Sequence, residues 1–257
     1  MLLEAKSLAI GYTAEQKRSI IHNDISLSFQ KGVFTSILGA NGVGKSTLIK
    51  TLTGFIPPLQ GEVLIEGKEL STYNLVQLSQ KMSIVLTEKL PPSNLTVKEI
   101  LALARQPYTN WLGRLTAEDK QLIDYSVEQV QLKELLNKKY YQLSDGQFQK
   151  VMIARALVQD TPIIILDEPT TYLDLQNKFA IFEILLGLKK NSNKCIILST
   201  HDLDLALEYS ERLVVMTSNQ IVSDTTPNCI ERGVLDTLFT DTKIKFDSSQ
   251  KKFIYNR

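Results

Sequence analysis

Apolar positions change their spacing along the chain, and each change predicts a different kind of element. Leu2 to Ile10 and Ile25 to Phe29 read as short strands between polar turns, and Gly61-Glu62-Val63-Leu64-Ile65-Glu66-Gly67 adds a glycine-bounded strand. Such runs predict a small, largely antiparallel layer. From about Thr96 to Asp160 the alternation gives way to helical spacing, at Val97, Ile100, Leu101 and Leu103, then at Leu122, Ile123, Val127, Val130, Leu132 and Leu135. Two unbroken apolar runs follow, Ile163-Ile164-Ile165-Leu166 and Cys195-Ile196-Ile197-Leu198, with a helix predicted between them through Phe179 to Leu188. Runs of this kind separated by helices suit a mostly parallel core sheet. Past Leu213 the chain returns to short strands and a final helix near residues 235–239. The pattern predicts one α/β domain: residues 1–86 and 161–257 form a core with an antiparallel β layer, and 87–160 form an inserted helical lobe.

Composition narrows the field. The chain has 257 residues, 43% hydrophobic and 22% charged, which is globular and not disordered. A formal net charge of +1 leaves no electrostatic footprint for nucleic acid. The two cysteines, Cys195 and Cys229, are far apart, make neither a disulfide framework nor a metal-ligand spacing, and fit a reducing compartment. No apolar stretch approaches the roughly twenty residues needed to cross a bilayer. The start, Met1-Leu2-Leu3-Glu4-Ala5-Lys6, carries an acid early and lacks a secretory apolar region. The expectation is a cytoplasmic protein that reaches a membrane only through a partner.

The chemistry is concentrated in Gly39-Ala40-Asn41-Gly42-Val43-Gly44-Lys45-Ser46-Thr47, a phosphate-binding loop between a strand-like run and a helix-like one. Its glycines let backbone N–H groups close on phosphate oxygens, and the helix that starts near Lys45 aims its positive end at the same anion. Lys45 can reach the outer phosphates and the Ser46 hydroxyl can ligate Mg²⁺. The run Ile163 to Leu166 ends in Asp167 and Glu168. Ligands bind at the carboxyl edge of such sheets, so Asp167 can hold Mg²⁺ and Glu168 can orient or deprotonate a water. Leu143-Ser144-Asp145-Gly146-Gln147 opens a helix as a capping box, and the same atoms would serve as an anion site at a helix N-terminus. Local physics does not separate those two readings. His201 ends the second apolar run, at the edge where Asp167 and Glu168 lie, and can hydrogen-bond a γ-phosphate or be structural; Asp202 is placed to cap the next helix. The other histidine, His22, has no motif around it.

In this order and over nearly the whole chain, these pieces resemble the ATP-binding subunit of an ABC transporter. The resemblance implies a P-loop NTPase (RecA-like) core sheet, with a Walker A loop from Gly39 to Ser46, a signature from Leu143 to Gln147, and a Walker B strand from Ile163 to Asp167. Glu168 would then be the catalytic glutamate, His201 the switch histidine, Tyr172-Leu173-Asp174 the D-loop, and Tyr12 the aromatic that stacks on adenine. It also resolves the capping box. Ser144, Asp145, Gly146 and Gln147 would close over ATP held by a second copy of the chain, giving an ATP-bound homodimer with Mg²⁺. Arg105-Gln106-Pro107-Tyr108-Thr109-Asn110-Trp111-Leu112-Gly113-Arg114, Leu115-Thr116-Ala117-Glu118-Asp119 and His201-Asp202-Leu203-Asp204-Leu205-Ala206 are similar to the ATPases of iron–siderophore, haem and cobalamin importers.

One position departs from the family pattern. Where a glutamine is usual, the chain reads Ile84-Val85-Leu86-Thr87-Glu88-Lys89, with Glu88 in register and Thr87 there under a one-residue gap. A carboxylate is also a hard oxygen ligand, so Glu88 is expected to keep a Mg²⁺ contact. The groove beside it is expected to receive an integral membrane permease, which would hold this subunit at the cytoplasmic face of the inner membrane, with a substrate-binding protein in the full system. Soluble ABC ATPases of assembly or repair and ABC importers of a different substrate carry the same core motifs, whereas Glu168 and His201 argue against a nucleotide switch without turnover.

Overall fold

Alternate residues of the two unbroken apolar runs point to opposite faces of one sheet, and both faces are buried. Ile163, Ile165, Cys195 and Ile197 join one hydrophobic cluster, while Ile164, Leu166, Ile196 and Leu198 join another. A computed structural model of the chain describes residues 1–257 apart from 15–16, 87–92, 172, 240–242, 249, 251 and 256–257.

The chain begins with β1 (Leu3–Ala14) and β2 (Lys17–Phe29), an antiparallel pair longer than the short strands expected there. β3 (Phe34–Gly39) feeds the phosphate loop and α1 (Lys45–Leu52). β4 (Gln60–Ile65) and β5 (Lys68–Glu69) complete the antiparallel layer, whose strand order is β2-β1-β4-β5. Then come α2 (Leu75–Lys81), β6 (Met82–Val85), and the helices α3 (Val97–Leu103), α4 (Ala117–Gln129) and α5 (Asp145–Val158). The chain re-enters the core through β7 (Ile163–Asp167), α6 (Leu175–Ser192), β8 (Cys195–Ser199), α7 (Leu203–Tyr209) and β9 (Arg212–Met216). β10 (Ile221–Thr225) and α8 (Thr226–Glu231) follow. The expected last helix is a 3-10 turn at Val234–Phe239, and a hairpin absent from the sequence reading comes after it, β11 (Ile244–Asp247) with β12 (Lys252–Tyr255).

The core sheet runs β10-β9-β3-β8-β7-β6 and is parallel except for β10. α1 and the antiparallel layer cover one face, with Leu48, Ile49 and Leu52 packed beside Leu3, Leu8 and Phe29. α3, α5 and α6 cover the other, through Leu101, Val151, Phe182 and Leu185. This is the P-loop NTPase (RecA-like) core with an antiparallel β layer and a helical insertion.

An ion pair ties the insertion together. Arg105, just past α3, donates from Nε to Asp119 Oδ1 at 2.7 Å and from a guanidinium nitrogen to the Val158 carbonyl at 2.9 Å, at the end of α5. Cations suit a helix C-terminus, where carbonyls lack intrahelical partners. Asp119 is also the third residue of α4, where it accepts the Thr116 N–H at 2.8 Å in a capping box. Burial works to raise the Asp119 carboxyl, but the Thr116 and Arg105 hydrogen bonds and the Arg105 charge outweigh it and hold the group below the usual carboxylate range. The segment singled out by resemblance from Arg105 to Asp119 therefore has a structural job.

Because the folded-state value is depressed, the stability this carboxylate contributes is complete above its unfolded value near pH ~4 and is lost as pH falls through the folded one. Asp119→Asn leaves Arg105 charged and buried, so urea unfolding at pH 7 is expected to show a loss of about 3 kcal/mol. The gap between variant and wild type should narrow in acid. A constant gap from pH 7 to pH 3 would assign the loss to packing.

Candidate active site

Register places the functional strand ends side by side. Ile37 of β3 pairs with Ser199 of β8, and Ser199 pairs with Asp167 of β7. The phosphate loop, the two acids and the His201 turn therefore open on one edge of the sheet.

The loop has the backbone its sequence implies. Gly42 and Gly44 sit at φ +80° and +107°, and a Cβ at Gly44 would lie 2.9 Å from Ile21 Cγ2. α1 starts at Gly44 without a side-chain cap, whereas Asn74, Thr96, Thr116, Ser144, Asp174 and Thr225 cap α2 to α6 and α8. The first N–H groups of α1 are thus left to an anion in the loop. Lys45 is buried, with Nζ 2.9 Å from the Gly39 carbonyl, 3.3 Å from the Ala40 carbonyl and 3.2 Å from Glu168 Oε1. A phosphate oxygen entering the loop competes with Glu168 for that ammonium.

Glu168 stands at the centre of the cluster. Its other oxygen accepts the Thr171 hydroxyl at 3.2 Å and lies 3.9 Å from His201 Nδ1. Asp167, beside it, is buried and accepts the Ser199 hydroxyl at 2.6 Å. Ser46 is exposed in the first turn of α1. One hydroxyl and one carboxylate suit Mg²⁺, which takes few protein ligands and completes its shell with phosphate oxygens and water. No group of three or more His, Cys, Asp or Glu that could hold a metal alone occurs among the described residues. Tyr12 donates to or accepts from Thr47 Oγ1 at 2.9 Å, with its ring about half exposed beside the loop.

The segment from Leu143 to Gln147 lies elsewhere. Ser144 and Gln147 form the predicted capping box with each other, and α5 packs on the sheet face opposite α1. Gly146 abuts α6, where an added Cβ would lie 3.2 Å from Asn177 Nδ2. Asp174 caps α6 through the Asn177 N–H at 2.8 Å. Asp202 does not cap α7 as expected. Its carboxylate instead takes the Thr170 hydroxyl at 2.6 Å and pairs with Lys178, a charge-assisted arrangement stronger than a cap. Thr87, Glu88 and Tyr172 lie outside the described residues.

Sequence reasoning missed three participants. Ser199 and Thr171 carry no motif, and their partners depend on sheet register and a turn. His22 is buried on β2, and its Nε2 lies 2.9 Å from the Val43 carbonyl of the phosphate loop. A carbonyl only accepts, so that nitrogen carries the proton. β2 is irregular at this point, where Ile10 pairs with His22 and Gly11 with Ile20.

Residues 22–171 match the family described as ABC transporter. The chain is 35% identical over 239 residues, 93% of its own length and 81% of the relative's, to the uncharacterized ABC transporter ATP-binding protein MJ0873 of Methanocaldococcus jannaschii. It is 34% identical to the iron(3+)-hydroxamate import ATP-binding protein FhuC of Bacillus subtilis, covering 87% of this chain and 82% of that one. Its fold superposes with a TM-score of 0.77 on the dimeric structure of MJ0796, a bacterial ABC transporter cassette, at 26% identity over 88% of this chain and 99% of that one.

The His22 contact should be worth about one hydrogen bond, roughly 1 kcal/mol or about 5-fold in nucleotide affinity. Calorimetric titration with ATP is expected to show that weakening for His22→Ala and near wild-type binding for His22→Gln, whose amide restores a donor. Equal affinity in all three would reduce His22 to packing.

Proposed function

The chain belongs to the ABC transporter family, and from that membership we propose that it is the ATP-hydrolysing subunit of an importer that takes up a metal chelate through a separate permease. One observation carries the catalytic part: Glu168 reaches Lys45 at 3.2 Å while standing next to Asp167 and within 3.9 Å of His201. That arrangement supports Glu168 as a carboxylate base at the outer-phosphate end of the loop.

The reaction is ATP plus water to ADP and phosphate. Glu168 orients the water and takes its proton, and Lys45 together with the N–H groups from Gly39 to Thr47 offsets charge on the transferring phosphoryl. Ser46 and Asp167 would hold Mg²⁺, with Glu88 as the third ligand we assign, and the ion would supply further charge neutralisation. His201 hydrogen-bonds the γ-phosphate, and Tyr12 carries the adenine. Ser144, Asp145, Gly146 and Gln147 open a helix on the sheet face opposite α1, which suits service to the loop of a second copy, with Asp174 at the seam. Residues 87–160 are the lobe that carries this signature.

Support for the metal-chelate class comes from the segments around Arg105 and His201 and from the iron(3+)-hydroxamate relative. We assign the path for substrate to the permease and its contact with this subunit to the segment around Glu88; no described helix is long and apolar enough to cross a membrane. The subunit would work on the cytoplasmic face of the membrane, with a substrate-binding protein delivering the chelate.

Phosphate release by the purified chain is the direct test. Glu168→Gln is expected to lower hydrolysis by about 100-fold or more while keeping ATP affinity. Sedimentation should then find the variant as an ATP-dependent dimer. Brisk turnover by Glu168→Gln would move the base elsewhere, and a strictly monomeric ATP complex would remove the trans arrangement.

A further inference from the structure

Ser199 ends β8, is fully buried, and touches both acids at the end of β7. Its hydroxyl donates to Asp167 Oδ1 at 2.6 Å and accepts the Glu168 N–H at 2.9 Å. The Ser199 carbonyl accepts the same N–H at 3.1 Å. Glu168 needs such anchors because its φ is +47°, a left-handed conformation that a residue with a side chain enters only when its surroundings hold it.

We propose that Ser199 is a positioning residue for ATP hydrolysis: its hydroxyl links Asp167 to the Glu168 backbone and so fixes the direction in which the Glu168 carboxylate leaves the strand. The inference rests on the ATPase reading and adds to it a residue that none of the motifs contains. The chemistry of the hydroxyl fits the role. Its single proton goes to the carboxylate, the stronger acceptor, which leaves a lone pair turned to the Glu168 N–H. A hydroxyl in a strand of Ile and Leu is costly unless bonded, and here both its donor and an acceptor site are used. The neighbouring side chains of Ile197 and Leu198 are plain core. The Glu168 carboxylate itself is held by Lys45 of α1 and by Thr171 in the following turn, so backbone and side chain are fixed by different groups.

Loss of the hydroxyl leaves the Glu168 N–H with only the Ser199 carbonyl and removes the proton that Asp167 Oδ1 accepts. The phosphate loop and Tyr12 keep the contacts described above. The effect should therefore fall on turnover and spare nucleotide binding.

The test uses the full chain as wild type, Ser199→Ala and Ser199→Thr. Ser199→Ala is expected to lower kcat about 10- to 100-fold, the usual cost of removing a partner that orients a metal or catalytic ligand. ATP affinity and KM should stay within about 2-fold of wild type. Ser199→Thr, which keeps the hydroxyl, should recover most of the turnover. A crystal structure of Ser199→Ala should show the Glu168 carboxylate displaced from Lys45, and this readout decides the matter if the added methyl of threonine prevents folding. Unchanged kcat, a parallel loss of affinity and kcat, or an unmoved Glu168 would overturn the proposal alone. A wild-type chain that binds ATP and never hydrolyses it would overturn the ATPase reading and this one with it.

Discussion

Parallel pairing of β3, β8 and β7 is the constraint from which the site follows. Because Ser199 sits opposite Ile37 on one side and Asp167 on the other, three strands stop at nearly the same level. What leaves them, the phosphate loop, the Glu168 turn and the His201 turn, has to share one edge. A shift of one residue in β7 would turn Asp167 and the apolar residues before it to the opposite face. The alternation of Ile163, Ile164, Ile165 and Leu166 between two buried clusters opposes that shift. Core packing and the geometry of the candidate site are thus enforced by the same contacts.

Charge is arranged around that edge economically. Lys45 is taken up by loop carbonyls and Glu168, and Asp167 by Ser199. None of these groups is buried without a partner, as interiors of low dielectric require. In the insertion, Arg105 bridges Asp119 and the end of α5, while the same helices share a hydrophobic cluster with the core sheet. Gly146 lets the start of α5 lie against Asn177 of α6, next to the Asp174 cap. The first turns of α5 and α6 are therefore in contact within one chain.

Much of this was legible from residue order. The glycine spacing from Gly39 to Gly44, the acids after Ile163–Leu166 and the capping box at Ser144 are local patterns, and local physics is enough to recognise them. His22 and Ser199 were not legible because their partners are distant in sequence and are set by sheet register and by an irregularity in β2. Asp202 misled for the opposite reason: a good local reading as a cap lost to a charged partner, Lys178, supplied by another helix. The hairpin of β11 and β12 was missed because its strands are short and none of their residues is buried, although Phe246 and Phe253 pack on the residues around Leu235.

The central claim is that the loop, Glu168 and the signature of a second copy converge on one triphosphate. The most direct measurement is the crystal structure of Glu168→Gln with Mg²⁺ and ATP. The account predicts a γ-phosphate on Lys45 in place of the residue-168 side chain, with Ser144 and Gly146 of the other copy against the same phosphates. A triphosphate bound in the loop with Ser144 of every copy turned to solvent would contradict it.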